Sequence, residues 1–406
     1  MIAYLAPEIP ALSATFVYEE LLALERRGFR IKPISVRPPA APASDQKELA
    51  ARVTNLYGGS RVKLVLGGVA GLFTFGRRAP AALKLLFSDF LECGPHRLAS
   101  WKLAYQFLAA VNLARILVSE NCFHLHVHFA HTPAQIAMYA SALSGIPFTV
   151  MAHANDIFER GLLLRRKAER AVCMLTISEY NRRYLESLGI PGERLAVVRC
   201  GVSFATVPKS AAAGEGAGFR IGTLGRLVEK KGVDVLARAV AELRKSGREV
   251  DFRIVGDGPL KVELEQLVHE LGIAQITRFE GSLAHHRVAD WIRQLDAFVL
   301  ACKKDANGDM DGIPVVLMEA MSQSVPVIST RLSGIPELVM DDQTGLLAEP
   351  GDHRDLARQI GRLMDSAGLG AKLAAGARER VADEFGQAKN LDRLVGHFKL
   401  AAPART

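Results

Sequence analysis

A chain of 406 residues is longer than one ordinary core and predicts two domains of about 200 residues each. With 49% apolar and 23% charged residues, it reads as a soluble globular protein rather than a disordered or fibrous one. The net charge of +8 predicts anionic partners, such as nucleotide phosphates or an acidic membrane surface. Nucleic acid is disfavoured, because the chain has no zinc-finger spacing, aromatic RNA-binding signature or long Lys/Arg run. Five scattered cysteines without a C-x-x-C pair read as reduced thiols of a cytosolic protein. No secretory signal opens the chain, and no uninterrupted apolar run reaches the ~18 residues of a membrane span. The expected location is the cytoplasm, with peripheral contact at the inner face of the plasma membrane as a further option.

In chain order, a strand at Ile2–Leu5, a Pro/Ser loop and a helix over about 15–27 lead to a second strand near Phe29–Val36. Residues 38–45 form an Ala/Pro loop. Residues 62–117 read as helical and unusually apolar, with Arg77, Arg78, Lys84, Arg97 and Lys102 interspersed. Strand-type runs return at Phe123–Phe129, Pro147–Met151, Val172–Ile177 and Leu195–Val198. Residues 207–218 are rich in Gly, Ala and Pro without apolar periodicity and make the best linker. Beyond it strands at 219–222, 251–255, 277–280, 297–301 and 325–329 alternate with helices at about 232–246, 259–271, 285–295, 314–323 and 353–367. Such alternation predicts a parallel sheet covered on both faces. Two more helical stretches, 371–385 and 388–401, follow.

Two turns of the second half carry chemistry. Ile221-Gly222-Thr223-Leu224-Gly225-Arg226-Leu227-Val228-Glu229-Lys230-Lys231-Gly232 joins a strand to a helix. Its glycines allow close backbone approach, and the helix N-terminus favours an anion. Arg226 and Lys231 add a forked and a point positive charge. The spacing is G-x-x-G, without the acid about 20 residues on that a nicotinamide site needs. The bland alternative is a pair of solvated charges, and Lys230, one place early, reads that way. Val255-Gly256-Asp257-Gly258-Pro259 is a second strand-to-helix turn, for which a tight glycine turn is the favoured reading.

Asp311 and Glu319 stand eight positions apart across a Gly/Pro turn and a helix start, in Asp311-Gly312-Ile313-Pro314-Val315-Val316-Leu317-Met318-Glu319. Eight residues of pure helix span ~12 Å, so the two acids suit opposite ends of an elongated ligand, with hydroxyls as natural partners. Asp305 and Asp309 in the same loop raise the alternative of a Mg²⁺ or Ca²⁺ site, but Arg226 and Lys231 already supply the charge a phosphate needs, so no metal is expected. In the first half, Phe123-His124-Leu125-His126-Val127-His128-Phe129-Ala130-His131 alternates histidine with apolar residues, placing His124, His126 and His128 on one strand face. A metal cluster there lacks a neighbouring Cys or acid, so core or cleft histidines are expected. His128 and His131 fall at the strand's C-terminal end, where α/β ligand sites form. His153 ends another strand. Ser13 and Thr15 could cap a helix or bind substrate.

These motifs together resemble retaining, nucleotide-sugar-dependent glycosyltransferases of family 4. The N-terminal Pro10-Ala11-Leu12-Ser13-Ala14-Thr15-Phe16 is similar to the exopolysaccharide and colanic acid subgroup. The resemblance is strong over about 219–350 and moderate over 1–205. It implies the GT-B fold: α/β, two Rossmann-like doubly wound parallel-sheet domains facing a cleft. Residues 1–206 would be the acceptor domain, joined by a crossing helix at about 386–406, and 219–385 the nucleotide-sugar domain. It also implies that Arg226 and Lys231 hold a diphosphate, with Gly225 and Gly256 lining the pocket. Glu319 would bind ribose hydroxyls, and Asp311 and His153 the donor sugar. Backbone N–H groups over Gly312, Ile313, Val315 and Val316 would lie near sugar and phosphate. Ser13, Thr15, His128 and His131 are weaker acceptor candidates. The family usually has glutamate where this chain has Asp311.

The implied reaction moves a hexosyl unit from a UDP- or GDP-sugar to a polysaccharide or lipid-linked acceptor, with no cofactor beyond the donor. The alternatives are a sugar phosphorylase or epimerase on the same architecture, and a non-catalytic partner subunit that binds nucleotide-sugar or glycan. The apolar, basic stretch 62–102 suits contact with an anionic bilayer, with ordinary buried helices as the competing reading.

Overall fold

A computed structural model describes residues 1–11, 14–39, 46–202 and 218–401, apart from the side chains of 367 and 399–401. Ser13, the 40–45 part of the Ala/Pro loop and all but the last residue of the 207–218 linker lie outside the described residues. The chain divides into two compact units. One holds Met1–Ile177, Asn181–Arg199 and the chain from Asn390; the other holds Ser178–Tyr180 and Cys200–Lys389.

The first unit is built on seven strands: β1 (Ile2–Ala6), β2 (Ile31–Ser35), β3 (Thr54–Asn55), β4 (His124–His128), β5 (Phe148–Ala152), β6 (Cys173–Thr176) and β7 (Leu195–Val197). They order β3-β2-β1-β4-β5-β6-β7, and every pair is parallel. The second has six: β8 (Phe219–Leu224), β9 (Val250–Val255), β10 (Thr277–Gly281), β11 (Ala297–Val299), β12 (Val327–Thr330) and β13 (Leu346–Ala348). Their order is β10-β9-β8-β11-β12-β13, again parallel throughout. Strand order reverses between β1 and β4 and between β8 and β11. Open α/β sheets bind ligands beyond the strand C-termini at such switch points.

Pleating sorts the second unit's apolar residues by parity. Ala297 and Val299 join one core, with Ile221, Phe252 and Ile328. Phe298 and Leu300 join the other, with Val327, Leu317 and Trp291. A strand buried on both faces is thus apolar at every position, as the runs in the sequence indicate.

The predicted strands are present with ends shifted by one or two residues. β3 and β13, two and three residues long, were too short to leave a pattern. The apolar stretch 62–117 resolves into three helices, Arg61–Leu72, Arg78–Cys93 and Leu98–Ser119. The first packs on the third through glycine. A Cβ on Gly68 would lie 2.9 Å from Leu108 Cβ, and one on Gly71 3.0 Å from Val111 and Arg115. The buried-helix reading holds for one face only, since the helices have a buried face and also expose apolar residues.

Gly232 fixes where the helix Val233–Lys245 begins. Its φ is +63°, and a Cβ there would fall 1.8 Å from Ala301 O. Gly232→Ala is therefore expected to destabilise by more than about 2 kcal/mol, since strain and overlap add. That lowers Tm by roughly 5–10 °C for a domain of this size. A melting curve within 1 °C of wild type would refute the tight approach.

Candidate active site

The second unit brings three loops together at its switch point. After β8, Gly225 N–H donates to Val255 O at 3.0 Å, and Leu227 N–H donates to Asp257 O at 2.9 Å. A Cβ on Gly256 would sit 1.9 Å from Gly225 O, so the turns after β8 and β9 lock against each other. Glycine is required at Gly256 on two counts, the contact and a φ of +137°.

The third loop follows β11. Lys303 N–H donates to Lys230 O at 3.0 Å, and Lys303 Nζ lies 2.8 Å from Asp234 Oδ2. Asp305 Oδ1 accepts the N–H groups of Asn307 and Asp309, closing a tight turn that carries Asp309 and Asp311 inward. There Lys231 Nζ meets Asp311 Oδ2 at 2.7 Å, and Lys230 Nζ meets Asp309 Oδ2 at 2.7 Å and Asp311 Oδ1 at 3.7 Å. Cys302 Sγ donates to Asp311 Oδ2 at 3.4 Å. Burial would push the Asp311 carboxyl up, but Lys231 and Lys230 outweigh it and hold the group below its ordinary value. Lys231 is likewise raised: burial opposes its charge and Asp311 more than restores it.

Lys230 therefore corrects the sequence reading. It is not a solvated helix charge but the partner of Asp309, because the loop after β11 folds back over the 3₁₀ turn Glu229–Lys231. The Lys231 stem runs beside Gly225, within 3.5–3.8 Å of where a Cβ would be. Arg226 is exposed. Gly312 and Ile313 are buried ahead of the helix Val315–Ser322. Leu317 N–H is bonded to Pro314 O at 3.1 Å, and the N–H groups of Val315 and Val316 precede it at the helix start. Glu319 lies in the second turn, half-buried; burial raises its carboxyl, and His285, which begins the helix His285–Ile292, opposes this. Glu337 accepts the N–H groups of Glu179 and Tyr180 at 3.0 and 2.8 Å, at the start of the helix Glu179–Ser187.

In the first unit the histidines of β4 are fully buried. The acid that the sequence neighbourhood lacks arrives from the helix Thr15–Arg26, whose Glu20 Oε1 lies 3.0 Å from His128 Nε2. Tyr4 Oη bonds Glu20 and lies 2.8 Å from His128 Nε2. His128 Nδ1 faces His153 Nε2 at 3.3 Å, their rings stacked at 5.6 Å. A proton on His128 Nε2 shared with Glu20 leaves Nδ1 to accept from His153 Nε2. His124 and His126 both face Thr149 Oγ1, at 2.9 and 2.8 Å.

His131 caps the helix Thr132–Ser144, its Nδ1 accepting Thr132 N–H at 2.7 Å. Asp156 Oδ2 accepts the N–H groups of both His153 and Ala130, tying the ends of β5 and β4 together. Phe129 between them adopts a left-handed φ of +72°, the kind of strain that collects at functional sites. Thr15 opens its helix without capping it: Ala14 holds the N-cap position, with no side-chain cap bond.

The family described as Glycosyltransferase Family 4 matches residues 13–205, and that described as Glycosyl transferases group 1 matches residues 218–366. A glycosyltransferase of Salmonella typhimurium named for colanic acid biosynthesis is 32% identical over 313 residues, covering 72% of this chain and 77% of that one. The chain belongs to glycosyltransferase family 4. The Escherichia coli K12 counterpart is 29% identical and spans 94% of this chain and 95% of its own. A glycosyltransferase-type fold from Anabaena, solved with UDP and glucose, superposes with a TM-score of 0.72 at 16% identity over 98% of this chain and 99% of that one. Likeness at that identity speaks for the GT-B fold alone. As a family 4 glycosyltransferase, the chain carries its Gly-Arg-Leu and Lys-Gly residues at the switch point of the second sheet.

Proposed function

We propose that this glycosyltransferase moves a hexosyl unit from a UDP- or GDP-sugar to a polysaccharide or lipid-linked oligosaccharide acceptor, with retention at the anomeric carbon, in exopolysaccharide or cell-envelope synthesis. The observation that carries the reading is the contact of Lys231 with Asp311, which joins the turn after β8 to the acid loop after β11. Both relatives named for colanic acid biosynthesis support the pathway class.

In this reading Arg226 and Lys231 take the diphosphate, each such donor contributing a few kcal/mol as charge develops on the leaving group. Glu319 accepts from the ribose diol, and Asp311 from the sugar. Gly225 and Gly256 bring backbone close to the phosphates, and the N–H groups around Gly312, Ile313, Val315 and Val316 face sugar and phosphate. By the family resemblance, His153, steadied by His128 and Asp156, is assigned to the donor sugar. His128, His131 and Thr15 border the acceptor side.

Asp311 is already engaged by two lysines and makes a poor nucleophile. Front-face attack by the acceptor hydroxyl, with a leaving-phosphate oxygen taking its proton, therefore fits better than a glycosyl-enzyme intermediate. Metal-independent transfer is part of the proposal, because Asp309 and Asp311 pair with Lys230 and Lys231 and Asp305 is spent on backbone N–H groups. A cytoplasmic position with peripheral contact to an anionic bilayer belongs to it as well.

The test is proton NMR of the product's anomeric centre in the presence of EDTA. The expected result is the donor's configuration and an undiminished rate. An inverted centre would refute retention, and activity lost to EDTA and restored by Mg²⁺ would refute metal independence.

A further inference from the structure

Among the described residues, thirteen large apolar side chains are strongly exposed, and ten of them fall between Val62 and Val118. Their spacing is helical. Val62, Leu66, Val69 and Phe73 recur at intervals of four, three and four along and just past the helix Arg61–Leu72. The buried face of that helix is Leu64, Gly68 and Gly71. Leu83, Phe87 and Leu91 recur at four-residue intervals on the helix Arg78–Cys93, away from buried Ala79, Ala82 and Asp89. Leu98 and Trp101 add two more where the helix Leu98–Ser119 begins. Phe73, Leu98 and Trp101 are 84%, 78% and 63% exposed. An outward apolar stripe repeated on consecutive helices is a surface built for an apolar medium.

Charge selects the occupant. Residues 60–119 hold eight Lys/Arg and two acids, so they carry +6 of the chain's formal +8. Both acids are engaged elsewhere: buried Asp89 pairs with Arg170 at 2.6 Å, and Glu92 with Arg166 at 2.7 Å. A second copy of the same face would meet it with like charge, whereas interleaved apolar and basic groups match an anionic bilayer. Directly after Phe73, a cavity of ≈ 620 Å³ is lined by Arg77, Arg78 and Arg115 with Phe75 and Val118. Val118 is also among the exposed apolar residues, so the basic cavity and the apolar surface are continuous.

We propose that these three helices dock onto anionic phospholipid, the apolar stripes entering the interface and the Arg77–Arg78–Arg115 cavity taking a lipid phosphate headgroup. The surface deepens the reading of a membrane-borne acceptor, yet it is measured without donor or acceptor, so either idea can fail alone.

The test is co-sedimentation of the full chain with vesicles of phosphatidylcholine, with and without about a third phosphatidylglycerol. Wild type is expected to pellet with anionic vesicles only, more weakly at high salt. Phe73→Ser/Trp101→Ser, which removes inserted apolar surface, and Arg77→Glu/Arg115→Glu, which reverses charge at the lipid phosphate, should each reduce binding at least about tenfold. Their melting temperatures and nucleotide-sugar binding should match wild type, which separates loss of docking from loss of fold. Absence of wild-type binding to anionic vesicles, or equal binding by both variants, would overturn the proposal. So would a solution dimer that Phe73→Ser dissociates.

Discussion

Lys231→Ala is expected to cut sugar transfer by about 10²–10³-fold, the usual cost of removing one charge-stabilising donor from a reacting centre. The variant will also melt lower. Lys231 and Asp311 are 17% and 14% exposed at the side chain, and removing one partner of a buried pair costs about 3–5 kcal/mol. Lys230, at 3.7 Å from Asp311, offsets part of that. Activity and stability separate in the double variant Lys231→Met/Asp311→Asn, which leaves no unpaired buried charge. It should recover most of the lost Tm and none of the lost transfer. Turnover near wild type in Lys231→Ala, at a temperature where it is folded, would remove Lys231 from the reaction. Asp311→Glu restores the residue usual in the family. Its longer side chain must fit beside Cys302 and Lys231, so donor preference is the property expected to change.

The second large effect is on stability. His124 is pushed down to about 3 and His131 to about 4, both mainly by burial. His126 and His153 lie well below the ordinary value for the same reason, with neighbouring histidines adding repulsion. Depressed histidines stay neutral in the folded state while the unfolded chain takes up protons below about 6.5. The stability they contribute is therefore full above that pH and is lost as pH falls toward the folded values. His124 and His131 each cost about 2 kcal/mol between pH 7 and pH 5. Asp156, raised by burial to about 7, works the other way over this range and offsets about one histidine. His124 and His131 together outweigh that gain and His126 and His153 act in the same direction, so the net effect is a loss of stability as pH falls from 7 to 5. Melting followed from pH 8 to pH 5 should show a steep acid-side fall, shallower in His124→Asn. A flat Tm across that range would contradict the buried, neutral histidines.

How far the sequence carried depends on how far apart the interacting residues lie. The turn after β8, with Gly225, Arg226 and Lys231, is local, and its glycines and charges mark a candidate anion site without tertiary information. Asp311 and Glu319 are legible for the same reason, since one loop and one helix start fix them. The pairing of Lys230 with Asp309 spans 79 residues and depends on the Asp305 turn closing, so a lysine one place early looked solvated. Glu20 reaches His128 across 108 residues, which is why the histidine strand seemed to lack an acid. His285 beside Glu319 left no pattern of its own.

The stretch 62–117 was ambiguous for a different reason. Its helices are apolar on two faces, and composition alone does not say which face meets the glycine-mediated packing against Leu108 and Val111. Once Gly68 and Gly71 are placed inward, the other face is fixed outward.

In the proposed reaction the switch point of the second sheet holds a nucleotide diphosphate sugar through Lys231. Isothermal titration of wild type and the Lys231→Met/Asp311→Asn variant with a panel of UDP-, GDP- and ADP-sugars tests it most directly. At least one donor is expected to bind wild type, and the folded variant should bind it at least about tenfold more weakly, the equivalent of about 1.4 kcal/mol. Equal affinity in both proteins, or no binding by any of these donors to wild type, would contradict it.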